Sequence, residues 1–169
     1  RSNKEVYKPE DVDAAALHEM VQTASAFGVA ANAIGNTPMA AKLRDLTWAA
    51  HQIEVLTDRT NMESVDLMRI GAKEVAANPD GIELDGPFIA AGKLLGQISR
   101  ETLADPTSTG FQTGLDMYEA KAMSARAFAW ISNANQARSD QINAGRAYVR
   151  MNLHATALGL GIHPWSQSL

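Results

Sequence analysis

The chain contains no cysteine, few aromatic residues and no long apolar run. With no cysteine among 169 residues, a disulfide framework, a thiolate metal site and a cysteine nucleophile are all excluded. No stretch of roughly 18 predominantly apolar residues, which a membrane-spanning helix needs, is present. Fifteen Lys and Arg stand against nineteen Asp and Glu, so the basic surplus typical of nucleic-acid binders is missing. Neither nucleic acid nor a membrane is therefore an expected partner.

The composition is that of a folded domain. Apolar residues make up 46% and charged residues 20%, which excludes a collagen and a disordered tail. A chain of this length can bury roughly 70% of its unfolded surface, and it has no internal repeat, so we expect one domain over residues 1–169. It begins with Arg1 and stops after an apolar stretch, which indicates a fragment of a longer chain. We expect a cytoplasmic location, unless an export signal precedes Arg1.

The spacing of apolar residues predicts a helix-dominated α+β chain with few strands. Thr37 and Thr60 are the predicted N-caps of two helices, and Thr60 forms a T-x-x-E capping box with Glu63. Asn78–Gly81 is a predicted turn. The predicted helices cover 9–27, with Pro9 in the first turn, and 37–57, 65–77, 88–103, 111–122 and 136–160. The predicted extended segments are 28–35, 125–132 and the beginning of 162–169.

Two of these elements carry the expected core. Residues 125–132 alternate, with Phe128 and Trp130 on one face and Ile131 on the other, and this predicts a central strand covered by helices on both sides. Residues 136–160 are rich in small and apolar side chains. They predict a long central helix that is the most buried helix of the structure.

The usual catalytic and metal motifs are incomplete. His18 and Glu19 begin an H-E-x-x-H pattern, but Gln22 stands where the second histidine would be. His51 and Glu54 supply one helical His–Glu pair, whereas a di-metal centre needs two. We therefore predict no metal site and no catalytic side chain. Any chemistry would depend on a cofactor.

Two groups of basic residues could bind negatively charged groups. Arg1, Ser2 and Lys4 place two cations and a hydroxyl within four residues, which indicates either an anion clamp for a phosphate or an ordinary charged terminus. Arg146 and Arg150 lie four residues apart on one helix face and could pair with acids at a helix–helix contact.

Two separate segments together resemble the flavin-dependent nitroreductases. Residues 1–4 (RSNK) resemble the N-terminal flavin-phosphate motif of that family, a basic pair followed by a serine, any residue and a base. Residues 144–161 resemble the family's central interface helix and its glycine-containing exit, and residues 163–167 (HPWSQ) resemble the loop along the isoalloxazine ring. The chain is most similar to the C-terminal half of the Acg-like branch, in which one chain holds two nitroreductase halves.

The resemblance implies an FMN-dependent oxidoreductase with a small central sheet and a long buried central helix. Arg1, Ser2 and Lys4 match the phosphate and ribityl contacts, and Trp165, Ser166 and Gln167 match the ring loop. Hydride would pass from NAD(P)H through FMN to a nitroaromatic or quinone-like acceptor. A second nitroreductase-like half, in the same chain or a homodimer, would complete the site.

The chain also departs from the family pattern. The Asn-rich segment that precedes a Pro-Trp has no match between Phe27 and Lys42, and the family's second basic cluster would lie beyond Leu169. The first arginine of the opening motif would lie before Arg1. About half a flavin site is thus expected. A flavin-binding or flavin-sequestering pseudo-enzyme and a helical dimerisation module are the alternative functions.

Overall fold

The computed structural model describes residues 2–167 and shows a helix-dominated α+β chain. Within those residues it has eight helices and four short strands. No helix in this part of the chain is both long and apolar enough to cross a membrane. The elements in chain order are α1 (Ala14–Ser25), β1 (Ala30–Ile34), α2 (Pro38–Val55), α3 (Asp58–Leu67), β2 (Met68–Ile70), α4 (Ala72–Ala77), β3 (Ile82–Leu84), α5 (Pro87–Leu94), α6 (Arg100–Ala104), α7 (Thr109–Ser124), β4 (Phe128–Ser132) and α8 (Arg138–Ala157).

The first two helices begin at side-chain caps. Asp13 accepts a hydrogen bond from the backbone N–H of Ala15 at 2.7 Å, so α1 starts after Asp13 and Pro9 lies outside it, contrary to prediction. The predicted cap of α2 is confirmed, because the Thr37 hydroxyl accepts from Ala40 N at 3.3 Å. The intervening strand β1 lies within its predicted range.

The predicted helix over residues 65–77 is wrong. Thr60 does not cap a new helix; it lies inside α3, and its hydroxyl donates to the backbone oxygen of Thr57 at 2.9 Å. The chain then forms β2, which pairs in parallel with β3. Gly71 ends this strand at φ +86°, a conformation that a helix interior does not allow.

The predicted helix over residues 88–103 is divided into α5 and α6. Gly96, at φ +71°, turns the chain out of the first helix. Ser99 then caps α6 by accepting from Thr102 N at 3.2 Å. Gly92 permits the return, because a Cβ there would lie 2.5 Å from Ile98 Cδ1. Residues 78–81 connect α4 to β3 in a tight turn in which Asp80 N donates to the backbone oxygen of Asn78 at 2.8 Å, and the helix around 111–122 is confirmed.

The chain divides into two compact units, Arg1–Trp48 with Lys121–Leu169, and Ala49–Ala120. In the first unit α1 packs on α8, and β1 pairs antiparallel with β4. Small side chains let the helices approach closely. The buried cluster consists of Met20, Ala24, Val29, Ala147, Met151 and Ala155.

Helix α8 is buried along one face only: three of its 20 residues are buried, against three of the 12 in α1, so the prediction that it is the most buried helix is wrong. Ala147, Met151 and Ala155 follow one another at four-residue intervals and form the buried stripe. Val149 and Leu153 on the outer side are 53% and 59% exposed. The small residues thus indicate that another helix packs closely on one side of α8, and not that the helix is buried on every side. The helix ends at Ala157, three residues before the predicted end, and Gly159 follows it at φ +74°.

Strand β4 is present, but it is not a central strand. Within residues 2–167 its sheet has two strands, β1 and β4, with Ala31 opposite Ile131. Ala31 and Ile131 pack against the buried cluster. Trp130 is 44% exposed, so helices do not cover both faces.

A buried apolar pair and a carboxylate organise the second unit. Val65 and Ile70 are its largest fully buried side chains. Glu74 accepts hydrogen bonds from Ile70 N at 3.1 Å and from Arg100 Nη2 at 2.8 Å, and it pairs with Lys93 Nζ at 3.3 Å. The hydrogen bond from Arg100 is the main reason why the pKa of Glu74 falls from 4.5 to about 2.

Substitutions on opposite sides of α8 test its orientation. Met151→Ala leaves a cavity in the core, and we expect it to lower the free energy of unfolding by about 2–5 kcal/mol. Val149→Ala, on the exposed side of the same helix, is expected to change it by less than about 0.5 kcal/mol. Urea unfolding of the monomeric chain measures both values. Equal losses would contradict the assignment of the buried face.

Acid should remove the stabilisation that Glu74 provides. Because its folded pKa of about 2 lies below the unfolded value of 4.5, the stabilisation is complete above pH 4.5 and is lost as the pH falls towards 2. We expect Glu74→Gln to lower the urea midpoint at pH 7, and the difference from wild type to shrink between about pH 5 and 2. The exposed Glu119→Gln is the control, with a small difference at every pH. A constant difference for Glu74→Gln would count against the ionic contacts.

Candidate functional site

The N-terminal segment lies against the segment that follows α8. Asn3 N donates to the backbone oxygen of Ile162 at 2.7 Å, and Nδ1 of His163 donates to the backbone oxygen of Asn3 at 2.8 Å. Gly161 allows this approach, because a Cβ there would lie 3.1 Å from Asn3 Cβ. The two segments therefore meet at Asn3.

The N-terminal segment is also fixed to the end of α7. Tyr7 N donates to Ser124 Oγ at 3.0 Å, and the same hydroxyl donates to the backbone oxygen of Lys121 at 2.8 Å. Tyr7 is half-buried, and burial is the main cause that raises the pKa of its phenol. Three stretches that are distant in sequence therefore meet at the last turn of α7.

A buried lysine lies at this meeting point. Lys121 is 4% exposed, and its Nζ lies 5.5 Å from the centroid of the Trp165 ring. Burial, followed by the positive charge of Lys4, lowers the pKa of Lys121 from 10.5 to about 8, while the weaker effect of Glu5 opposes this. We call Lys4, Lys121, His163 and Trp165 the lysine cluster.

His163 packs against the Trp165 ring. Its imidazole meets the indole edge to face, with 5.4 Å between the ring centroids. Burial is the main cause that lowers the pKa of His163, and the charge of Lys121 lowers it further. At neutral pH the imidazole is therefore mainly uncharged. Because a backbone carbonyl only accepts, the proton of this neutral ring lies on Nδ1.

The structure brings together part of the predicted site. Lys4 and Trp165 belong to the lysine cluster, Ser166 and Gln167 follow Trp165 directly and are exposed, and Ser2 is half-buried beside Asn3. The predicted contacts of these residues with a flavin stay predictions. Arg1 lies outside the described residues.

Sequence reasoning missed Lys121. It interrupts an apolar stretch of α7 and directly precedes the buried Ala122, which lies about three helical turns after the buried Phe111 on the same side of the helix. A lysine flanked by the small apolar residues Ala120 and Ala122 was the available signal. Its neighbours could not be inferred, because Lys4 and Trp165 come from distant parts of the chain.

The other histidines form pair contacts. His18 Nε2 lies 2.8 Å from Gln22 Nε2, and His154 Nε2 lies 3.1 Å from a carboxylate oxygen of Glu19. In the second unit, His51 stacks on Tyr118 with 4.5 Å between ring centroids. Within residues 2–167 no group of three or more His, Cys, Asp or Glu side chains could hold a metal ion.

A groove of about 570 Å³ runs along the outer side of α8. Phe27 and Val149 provide its apolar surface, Gly145 leaves it open, and Arg146 and Arg150 border it. The two arginines share one face, as their four-residue spacing predicted. Apolar surface with two cations is a suitable contact for another helix that carries acids.

The chain was compared with protein-family models, with curated proteins and with solved structures, and none of them matches. The α+β class is therefore an observation of this structure. The nitroreductase family remains a prediction from the motifs at residues 1–4 and 144–167.

The surroundings of Lys121 can be tested by titration. We expect the side-chain NMR signals of Lys121 to titrate near pH 8, well below the usual lysine pKa of 10.5. Lys4→Met should move that midpoint upwards, because a nearby positive charge is removed. Lys42→Met, on the exposed side of α2, is the control and should leave it unchanged. A wild-type midpoint near 10.5 would show that Lys121 is not buried beside Lys4.

Proposed function

We propose that the chain is the flavin-binding half of a nitroreductase-type oxidoreductase, which passes hydride from NAD(P)H through FMN to a nitroaromatic or quinone-like acceptor. The observation that carries the proposal is the pairing of Asn3 with Ile162 and His163. It brings the two segments of the family resemblance together, with Lys4 from one and Trp165 from the other. A single cofactor that needs both segments can therefore reach both.

The lysine cluster has the chemistry required at the phosphate end of FMN. A phosphate monoester needs cations and hydrogen-bond donors, and the ammonium groups of Lys4 and Lys121 supply both. Trp165 adds an aromatic surface beside them. The residues present thus fit the phosphate and the part of the molecule next to it.

The ring end would depend on the residues after Trp165. The Ser166 hydroxyl and the Gln167 amide are exposed donors, and donors beside a flavin ring stabilise the negative charge of its reduced form. Bound FMN would supply the hydride chemistry itself. The chain would hold and orient it and would need no acid or base of its own, in agreement with the incomplete catalytic motifs.

A second half would complete the site. The outer face of α8, formed by Ile142, Val149 and Leu153, is apolar and exposed, and such faces mark interaction surfaces. The groove bordered by Arg146 and Arg150 continues it. A second nitroreductase-like half, from a longer chain or a second copy, would cover this face. The same observation supports the second candidate function, a helical dimerisation module without flavin.

Flavin binding by the assembled protein, with both proposed halves present, tests the proposal. We expect the purified protein to show the flavin absorbance bands, and Lys4→Ala to weaken FMN binding by about 1–3 kcal/mol through loss of a charge-assisted contact. Lys42→Ala is the matched control and should bind FMN like wild type. The 169-residue chain alone should bind FMN poorly, because half of the cradle is missing.

Turnover separates the candidate functions. Consumption of NAD(P)H with a nitroaromatic or quinone acceptor supports the oxidoreductase, whereas bound FMN without consumption identifies a flavin-sequestering protein. A protein that dimerises but binds no FMN would be a pairing module. Tight stoichiometric FMN on the isolated 169 residues would contradict the half-site.

A further inference from the structure

A pocket of the second unit lies outside the motifs that carry the family resemblance. It has a volume of about 210 Å³, and its wall includes apolar and charged side chains, namely Ile70, Ile98, Glu74, Lys93, Arg100 and Glu101. All of them belong to the unit Ala49–Ala120. We propose that this pocket binds a small zwitterionic α-amino acid with a short apolar side chain. The inference goes beyond the proposed flavin function and does not depend on it.

Two cations of the pocket share one carboxylate. Lys93 Nζ lies 3.3 Å from Glu74 Oε1, and Arg100 Nη2 lies 2.8 Å from Glu74 Oε2, so one negative charge balances two positive charges. The hydrogen bond to Glu74 is the main cause that raises the pKa of Arg100. The charge of Asp66 adds a smaller effect, and Asp66 is not among the residues that line the pocket. One positive charge therefore remains for the carboxylate of a ligand.

Both cations also keep hydrogen-bond donors for such a carboxylate. Within residues 2–167 the hydrogen bonds of Arg100 all leave from Nη2, to Glu74 and to the backbone oxygen of Met68 at 2.7 Å, so Nε and Nη1 remain. The ammonium of Lys93 has three donors and uses two, for Glu74 and for the backbone oxygen of Ile70 at 2.7 Å. Because these contacts already hold both side chains in place, binding a carboxylate costs little further conformational entropy.

Glu101 supplies a negative charge to the same pocket. In the part of the chain that the structure describes it forms no ion pair. A hydrogen bond from the Ser99 side chain is the main cause that lowers the pKa of Glu101, and the charge of Arg100 has the smallest effect. The ionised carboxylate can therefore accept the ammonium group of a ligand. A simple anion would be repelled by Glu101, and a simple cation by the excess positive charge, so the pocket favours a molecule that carries both charges.

The size and the apolar part of the pocket limit the rest of the ligand. Drug-sized ligands occupy pockets of roughly 300–1,000 Å³, so a pocket of about 210 Å³ suits a smaller molecule. Ile70 and Ile98 are buried and give the pocket an apolar surface on which a short side chain can pack. Alanine has both charges and such a side chain, and it is the probe that we choose.

Three probes of similar size separate the two charges. L-Alanine carries both, propionate lacks the ammonium group and ethylamine lacks the carboxylate. We expect L-alanine to cause a saturable shift of the NMR signals of the amides of residues 99–101 and of Arg100 Nε, and propionate and ethylamine to bind at least about 10-fold more weakly. The inference is overturned if L-alanine causes no saturable shift, or if either of the other probes binds as tightly as L-alanine.

Glu101→Gln removes the negative charge and leaves the contacts of Glu74 in place. We expect it to weaken L-alanine binding about 10-fold and to leave propionate binding no weaker than in wild type. The exposed Glu119→Gln changes the net charge equally and should alter neither affinity. Circular dichroism and urea unfolding establish that both variants are folded, and the three-probe comparison needs only the wild-type protein. Unchanged L-alanine affinity in Glu101→Gln contradicts the inference, whereas a protein that binds L-alanine but no FMN refutes the flavin function alone.

Discussion

The backbone pairing of Asn3 with Ile162 and His163 is the interaction on which the candidate site depends. Asn3 and His163 are 160 residues apart in sequence, so the pairing closes almost the whole chain into one loop. The entropy of closing so long a loop is not recovered by two hydrogen bonds. The packing of α1 on α8 recovers most of it, because it already brings the two ends of the first unit together. The site is thus a consequence of the core and not a separate local structure.

The buried charge of Lys121 lowers the free energy of unfolding of the same unit at neutral pH. Since the folded pKa of Lys121, about 8, lies below its usual 10.5, the folded state binds protons less readily than the unfolded chain. Stability from this group therefore increases as the pH rises from about 8 to 10.5, and at neutral pH the buried ammonium is unfavourable. A buried charged group that lowers the stability of the folded state at neutral pH is typical of binding and catalytic sites. That cost distinguishes Lys121 from the exposed lysines of the chain.

Much of the fold could be predicted from the sequence, and the failures have physical causes. Long elements with a clear apolar period, such as α2, α7 and α8, were found because local spacing reports the buried face. The three-residue strands β2 and β3 were missed, since so short a strand is defined by its partner and not by its own pattern. Composition also overstated the burial of α8, because small residues indicate a close contact without telling how many sides have one. In the lysine cluster, Lys4 and Trp165 were predicted from sequence motifs. The surroundings of Lys121 could not be predicted, because they depend on tertiary contacts.

Gly161 shows how a residue without a side chain can govern a binding site. Gly161 sets how closely the two terminal segments can approach, since even a methyl group there would lie 3.1 Å from Asn3 Cβ. The distance between the N-terminal segment, which carries Lys4, and the segment that carries Trp165 therefore depends on the missing side chain at this position. A search for functional residues that follows charge and polarity would pass over it. The geometry of the site is shaped as much by this empty position as by the lysines themselves.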